Sequence, residues 1–260
     1  MLVKKNNNNI SIEIIAHRGA SFSAPENTLA AINRAWELNA DGVEIDVQQT
    51  KDKRIVLLHD NSSKRTAGKD FLVSETFSAE LRKLDAGILK SKEFAGQKIP
   101  FLEEVIQTIP ENRKLFVEIK CGEEIFSALQ KIIIESGKMS QIVIIGFELA
   151  TVSKAKKLMP EIPVYWLCNT ARNMLTRKPL PHNPQLINSV IKNNLNGLSV
   201  HYKGITKEFA ERVLSSGLKL YAWTVNDSKE AKRLLNLHVY GIITDRPGWI
   251  LNKLGRNEVI

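Results

Sequence analysis

Residues 42–47 read Gly42-Val43-Glu44-Ile45-Asp46-Val47. A short β-branched run of this kind is a buried strand, and successive side chains of a strand point to opposite faces. Glu44 and Asp46 therefore share one face, and Val43, Ile45 and Val47 share the other. Carboxylates are costly in such a place unless they are paired or hold a cation. Three other apolar runs end in the same way: Ile14-Ile15-Ala16-His17-Arg18-Gly19, Ile55-Val56-Leu57-Leu58-His59-Asp60 and Leu115-Phe116-Val117-Glu118-Ile119-Lys120. Four strands that finish on ionisable residues gather polar groups at one end of a sheet or barrel.

Outward from these runs, strand and helix patterns alternate along the chain. The strands fall at 12–16, 42–47, 115–119, 142–146, 163–167, 197–200, 219–223 and 240–243, with an additional extended segment at 54–58. Helical patterns occupy 27–39, 148–159 (stopped by Pro160), 206–216 and 228–236, the last opened by Asp227 with Glu230 three positions on, an acidic capping box. Eight strand–helix units in one α/β domain predict a (β/α)8 TIM barrel over 12–255 rather than an open doubly wound sheet. No Gly-x-Gly-x-x-Gly turn follows the first strand, which argues against a dinucleotide fold. The stretch 60–112 interrupts the alternation after the second strand; it is read as a small insertion over the mouth of the barrel, with helices near 77–84 and 102–109. Residues 1–11, with four consecutive asparagines, are read as a flexible tail.

The chain has 260 residues, 43% of them hydrophobic, which suits one domain with a full core. The net charge of +9 is consistent either with a lysine-rich solvated surface or with attraction of anionic partners. No basic run with interleaved aromatics appears, so no nucleic-acid partner is expected. Cys121 and Cys168 lie far apart and are read as reduced thiols rather than a disulfide. No apolar run spans a bilayer and the N-terminus has no apolar signal region, so no stable membrane anchor and a cytoplasmic location are expected.

Glu44 and Asp46 point into the barrel, and Glu118 and Lys120 repeat the arrangement one strand later. Three convergent carboxylates form a hard oxygen site for one divalent cation, Mg²⁺ or Ca²⁺; the alternative is a metal-free salt-bridge network with Arg18 and Lys120. His17 and His59 end different strands beside this site, as a general acid and base would, since imidazole titrates near neutrality. Each alone is equally a structural histidine. Arg18 and Lys120 are candidate phosphate clamps. In Pro25-Glu26-Asn27-Thr28, Pro25 is read as helix-start chemistry, with Glu26 left open. Trp223 is either an apolar substrate wall or core, and Asp245 is read as part of the turn into the closing helix.

These motifs, taken in order, resemble the glycerophosphodiester phosphodiesterase family. The matching pieces are His17-Arg18-Gly19, Pro25-Glu26-Asn27-Thr28, Glu44-Ile45-Asp46, His59-Asp60, Val117-Glu118-Ile119-Lys120, Trp223-Thr224-Val225-Asn226 and Gly241 through Asp245-Arg246-Pro247. The resemblance implies a (β/α)8 barrel with an insertion at the mouth. It implies that Glu44, Asp46 and Glu118 hold one divalent cation, that His17 and His59 are the acid–base pair, that Arg18 and Lys120 bind phosphate, and that Trp223 lines the pocket. One departure is Gly146-Phe147, where many members have Ser-Phe, a change expected at the pocket floor. Segment 168–184, rich in proline and basic residues, matches no family motif and is read as a variable loop at the mouth.

The implied reaction is metal-dependent hydrolysis of a small-molecule glycerophosphodiester to sn-glycerol 3-phosphate and an alcohol, through a cyclic phosphate, by a monomer or homodimer. Two other readings stand beside it: a lysophospholipase D on the same scaffold, and a barrel that binds phosphodiesters without cleaving them.

Overall fold

The computed structural model describes residues 12–256; the tail expected at 1–11 lies outside them. Eight parallel strands, β1 (Glu13–His17), β2 (Gly42–Gln49), β4 (Lys114–Ile119), β5 (Ile142–Gly146), β6 (Val164–Cys168), β7 (Gly197–His201), β8 (Lys219–Trp223) and β9 (Gly241–Thr244), form a barrel. It closes where β1 pairs with both β9 and β2, aligning Ile15 with Ile243 on one side and His17 with Glu44 on the other. The short β3 (Ile55–Leu57) runs antiparallel on the end of β2 and is the extended segment expected after the second strand.

The helices fill the spaces between strands. They are α1 (Leu29–Glu37), the short α2 (Lys64–Ala67) and α3 (Ser78–Leu81), α4 (Leu102–Gln107), α5 (Phe126–Ser136), α6 (Leu149–Leu158), α7 (Gln185–Lys192), α8 (Lys207–Ser215), α9 (Ser228–Asn236) and α10 (Pro247–Lys253). The fold is a TIM barrel, as the alternation predicts. Helix α4 takes the second position in the helical ring, because Leu102, Val105 and Ile106 pack into the layer between helices and barrel. The residues before it build a separate small core from Val56, Leu58, Val73, Leu81, Leu84 and Ile99.

Local chemistry accounts for several of these boundaries. Thr28 caps α1, accepting from the Ala31 amide while its hydroxyl donates to the Pro25 carbonyl. Asp227 caps α9 by accepting from the Lys229 and Glu230 amides. Glu230, however, does not complete a capping box: its carboxylate accepts from Arg233 instead. Helix α5 carries Ile132-Ile133-Ile134, a run whose β-branched character obscures the helix. Its buried Phe126, Leu129 and Ile133 lie three and four residues apart, on one face.

Alternation along the strands sorts two cores. Val43, Ile45 and Val47 join the layer beneath the helices, whereas Ile15, Phe116, Val143, Ile145, Tyr165, Leu167, Tyr221 and Ile243 fill the barrel itself. Phe116, Tyr165 and Tyr221 form an aromatic plug with ring centroids 4.9–6.5 Å apart. The plug fits because Gly241 has no side chain; a Cβ there would sit 2.6 Å from the Tyr221 ring. Above the plug, the carboxyl ends of the strands are left to polar residues.

Candidate active site

The upper barrel opens into a pocket lined by His17, Arg18, Glu44, His59, Glu118, Lys120 and Trp223, together with Ile145, Phe147, Leu167, Thr224 and Ile243. The structure thus brings together seven of the eight site residues expected from sequence. The eighth, Asp46, lies directly beneath them, fully buried.

The three carboxylates come from the pleats of two neighbouring strands. Asp46 of β2 is aligned with Glu118 of β4, and Glu44 precedes Asp46 on the same face. All three are buried, and one oxygen from each lies within 4.8 Å of the others. Asp46 Oδ2 accepts from Asn27 Nδ2 at 2.8 Å, and Asn27 Oδ1 accepts from the Asp46 amide at 3.0 Å. Glu44 Oε2 accepts from the Arg18 amide at 2.9 Å, and Glu118 Oε1 accepts from Lys120 Nζ at 2.8 Å. Glu44 Oε1 and Asp46 Oδ1 are buried with no hydrogen-bond partner among the described residues. Burial, together with the Asp46 charge, raises Glu44 and Glu118 above the usual carboxylate range. Two orphaned oxygens in an all-carboxylate cluster are what a hard divalent cation satisfies, so these residues fit Mg²⁺ or Ca²⁺. Arg18 Nε, 3.1 Å from Asp46 Oδ2, and Lys120 Nζ, 3.7 Å from Asp46 Oδ1, offset part of the charge.

Each histidine is held by an aspartate. His17 Nδ1 lies 2.6 Å from Asp245 Oδ1, and His59 Nδ1 lies 2.6 Å from Asp60 Oδ1. With Nδ1 occupied in this way, Nε2 of each ring is the atom available for proton transfer. His17 Nε2 is 4.0 Å from Glu44 Oε2. Burial opposes the His17 imidazolium, but the Asp245 hydrogen bond and the Glu44 charge outweigh it and raise the pKa. Asp60 is depressed to about 2, first by the hydrogen bond from Arg65 and also by His59.

The His17-Arg18-Gly19 turn is backbone-strained. Arg18 and Asn27 have φ of +55°, and Gly19 has φ of +81°. A Cβ on Gly19 would lie 2.5 Å from the Ala31 backbone, so only glycine lets this turn rest against α1. The strained conformation aims the Arg18 amide at Glu44 and its guanidinium at Glu26 and Asp46.

The apolar side of the pocket is made by Phe147 and Trp223, packed edge to face at 5.6 Å. Trp223 is fixed by its indole N–H donating to the Ser199 carbonyl at 3.0 Å. The Gly146-Phe147 departure does not alter the pocket floor. A Cβ at Gly146 would point out of the barrel, 3.1 Å from Val152 on α6, while Phe147 forms a wall.

Four residues around the site had no role assigned from sequence. Asp245, read as turn chemistry, is the partner of His17, and Asn226 donates to its Oδ2 at 2.5 Å. The signal was its phase: Gly241, Ile243 and Asp245 alternate on one face, as Glu44 and Asp46 do. Asp60 partners His59. Arg65 of α2 donates to both oxygens of Glu26 at 2.7 and 2.8 Å and to Asp60 at 2.6 Å. Sequence carries no signal for this contact because it depends on how the insertion folds back. Gln48, inward-facing on β2, donates to the Leu58 and Asp60 carbonyls and so fixes the His59 segment. Both cysteines are free, and burial pushes Cys121 up to about 11 and Cys168 to about 12, so neither is a ready nucleophile.

Known proteins similar to this chain identify its family. The sequence profile of the glycerophosphoryl diester phosphodiesterase family matches residues 17–249. A glycerophosphodiester phosphodiesterase of Caldanaerobacter subterraneus is 34% identical, covering 92% of this chain and 96% of its own. One from Bacillus subtilis is 30% identical over 90% of this chain and 83% of its own. Among solved structures, a phosphodiesterase of Oleispira antarctica, in complex with its product sn-glycerol 3-phosphate, superposes with a TM-score of 0.84 at 29% identity, covering 94% of this chain and 96% of that one.

Proposed function

The chain belongs to the glycerophosphodiester phosphodiesterase family of hydrolases, and on that premise we propose that it cleaves glycerophosphodiesters to sn-glycerol 3-phosphate and an alcohol, with His17 and His59 as the acid–base pair. The observation that carries this reading is the pair of His–Asp couples opening on one pocket beside three buried carboxylates. The product bound to the Oleispira antarctica relative supports the same substrate class.

Glu44, Asp46 and Glu118 would hold the divalent cation. Such a cation supplies Lewis acidity toward oxygen and lowers the pKa of a bound hydroxyl. His17, the more deeply set histidine and the one beside Glu44, takes the proton of the substrate's glycerol hydroxyl at Nε2 as that oxygen attacks phosphorus. Asp245 stabilises the imidazolium that forms. His59, held by Asp60, gives its Nε2 proton to the departing alcohol. A cyclic glycerol phosphate results, and water opens it with the two roles exchanged. The Arg18 guanidinium and the Lys120 ammonium, both in the pocket lining, stabilise charge on the non-bridging oxygens. Phe147 and Trp223 pack against the carbon face of the substrate.

The test is release of glycerol 3-phosphate from glycerophosphocholine and glycerophosphoethanolamine, first in EDTA and then with Mg²⁺, Ca²⁺ or Mn²⁺ restored. Release that depends on the added ion is the expected result. No release with any ion, from folded protein, would overturn the assignment.

A further inference from the structure

Between Glu161 and Glu208 the chain contains no acidic residue, while Arg172, Arg177, Lys178, Lys192, Lys203 and Lys207 all fall in that interval. The first three belong to the loop that leaves the carboxyl end of β6, five residues beyond Leu167 in the pocket wall. This is the segment read from the sequence as a variable loop at the mouth. It has a definite shape: Arg172 and Pro179 bridge its two arms, and Asn173 and Lys178 are joined by a backbone hydrogen bond of 2.9 Å. At its tip, Asn173 Oδ1 accepts from the Leu175 and Thr176 amides. Its base is tied down where the Thr170 hydroxyl donates to the His201 carbonyl.

The turn holds Met174 and Leu175 out from the protein at 90% and 94% exposure, far above the next most exposed large apolar residue among the described residues, Phe22, at 60%. Arg172, Arg177 and Lys178 flank them, and none of the three forms an ion pair among the described residues. All the parallel strands end at the same rim, so this tip stands on the face where the pocket opens.

We propose that the Met174–Leu175 tip is a peripheral docking element for an anionic lipid bilayer, seating the open end of the barrel against the membrane surface. Two flexible apolar side chains are too small a patch for a stable protein interface, which buries roughly 800 Å² per partner. They match the shallow insertion of an apolar tip below lipid headgroups, and the unpaired cations beside them complement anionic phosphates. Attachment by a shallow apolar tip and a few unpaired cations is reversible and weakens with salt.

The experiment is co-sedimentation of the full chain with vesicles of phosphatidylcholine alone and of phosphatidylcholine with phosphatidylglycerol, at low and high salt. Met174→Ser/Leu175→Ser and Arg172→Gln/Arg177→Gln/Lys178→Gln variants are run in parallel. The expected result is binding to the anionic vesicles only, weakened by salt, with each variant losing about tenfold or more in affinity. Both variants keep wild-type hydrolysis of soluble glycerophosphocholine, because the tip lies outside the catalytic pocket. Absence of wild-type binding at low salt, or equal binding by the Met174→Ser/Leu175→Ser variant, overturns the proposal. So does a concentration-dependent dimer in sedimentation velocity that the same variant abolishes, which would make a second copy the partner.

Discussion

His17 and Asp245 stand 228 residues apart in the chain and share a 2.6 Å hydrogen bond across the seam where the last strand of the barrel meets the first. The bond fixes the His17 ring and, with Glu44, raises its pKa against the opposing effect of burial. Asp245→Ala removes the acceptor and one negative charge. If His17 acts as a base, it must be neutral, and activity rises with pH through its pKa. The variant's acid limb is therefore expected to move to lower pH, while the plateau kcat falls about 10–100-fold through lost orientation. Profiles of kcat/KM and of kcat from pH 5 to 9 check the two effects. A limb that stays in place or moves upward would remove Asp245 from control of His17.

Arg65 links the two histidine sides of the site, because its guanidinium ties Glu26, which also pairs with Arg18, to Asp60, which holds His59. Arg65→Ala is expected to lower kcat about tenfold or more by releasing Asp60 and Glu26 together, with Arg65→Lys recovering only part because an ammonium lacks the two-sided fork. Asp60 is depressed to about 2, so its stabilising contribution is complete above the ordinary aspartate value near 3.9 and is lost as pH falls toward about 2. Without Arg65 the folded value lies closer to the ordinary one, so less stabilisation is present at neutral pH and its loss is complete at a higher pH. Thermal melts of both proteins between pH 2.5 and 7 test the point: the gap in Tm should be full at pH 7 and narrow at the acid end. A gap that widens on acidification contradicts the pairing.

Gly19 is the residue that lets the strained turn after His17 approach α1, with φ of +81° and the Ala31 backbone where a Cβ would be. Gly19→Ala combines a left-handed conformation with a steric overlap, each worth about 1–3 kcal/mol. Urea denaturation should show a loss of about 2–6 kcal/mol, together with reduced activity, because the displaced turn carries the Arg18 amide that holds Glu44. A stability within error of wild type would mean that the turn has room to move.

The parts of the site legible in the sequence are those set by strand periodicity. Glu44, Asp46, Glu118 and Lys120 alternate with apolar residues on single strands, so their common face follows from the pleat, and the eight-fold alternation brings those faces to one rim. The partnerships lay beyond reach. Asp245 meets His17 only because the barrel closes, and Arg65 meets Glu26 and Asp60 only because the insertion folds back over the mouth. Helix α5 was hidden by three consecutive isoleucines, whose branching reads as strand until their burial in a helical layer is known. The apolar tip at Met174 and Leu175 does not stand out within a segment that reads only as proline-rich and basic, because its projection depends on hydrogen bonds that Asn173 Oδ1 accepts from the Leu175 and Thr176 amides, which no periodicity foretells.

Cation binding should be coupled to proton release at the carboxylate cluster. Burial, with the Asp46 charge, raises Glu44 and Glu118 above the ordinary value near 4.3 in the cation-free protein. A carboxyl whose folded pKa exceeds its unfolded one binds more protons when folded. The cation-free protein therefore loses stability as pH rises from the ordinary carboxylate range through the raised values. A bound divalent cation needs the ionised form and removes that penalty, so the Tm increase produced by saturating Mg²⁺ or Ca²⁺ should be larger at pH 8 than at pH 5. Glu44→Gln should reduce both the increase and its pH dependence. Calorimetric titration at pH 6 in two buffers of different ionisation enthalpy should also register protons leaving as the cation binds. An equal Tm increase at both pH values, with no buffer dependence of the heat, would place the cation away from Glu44 and Glu118.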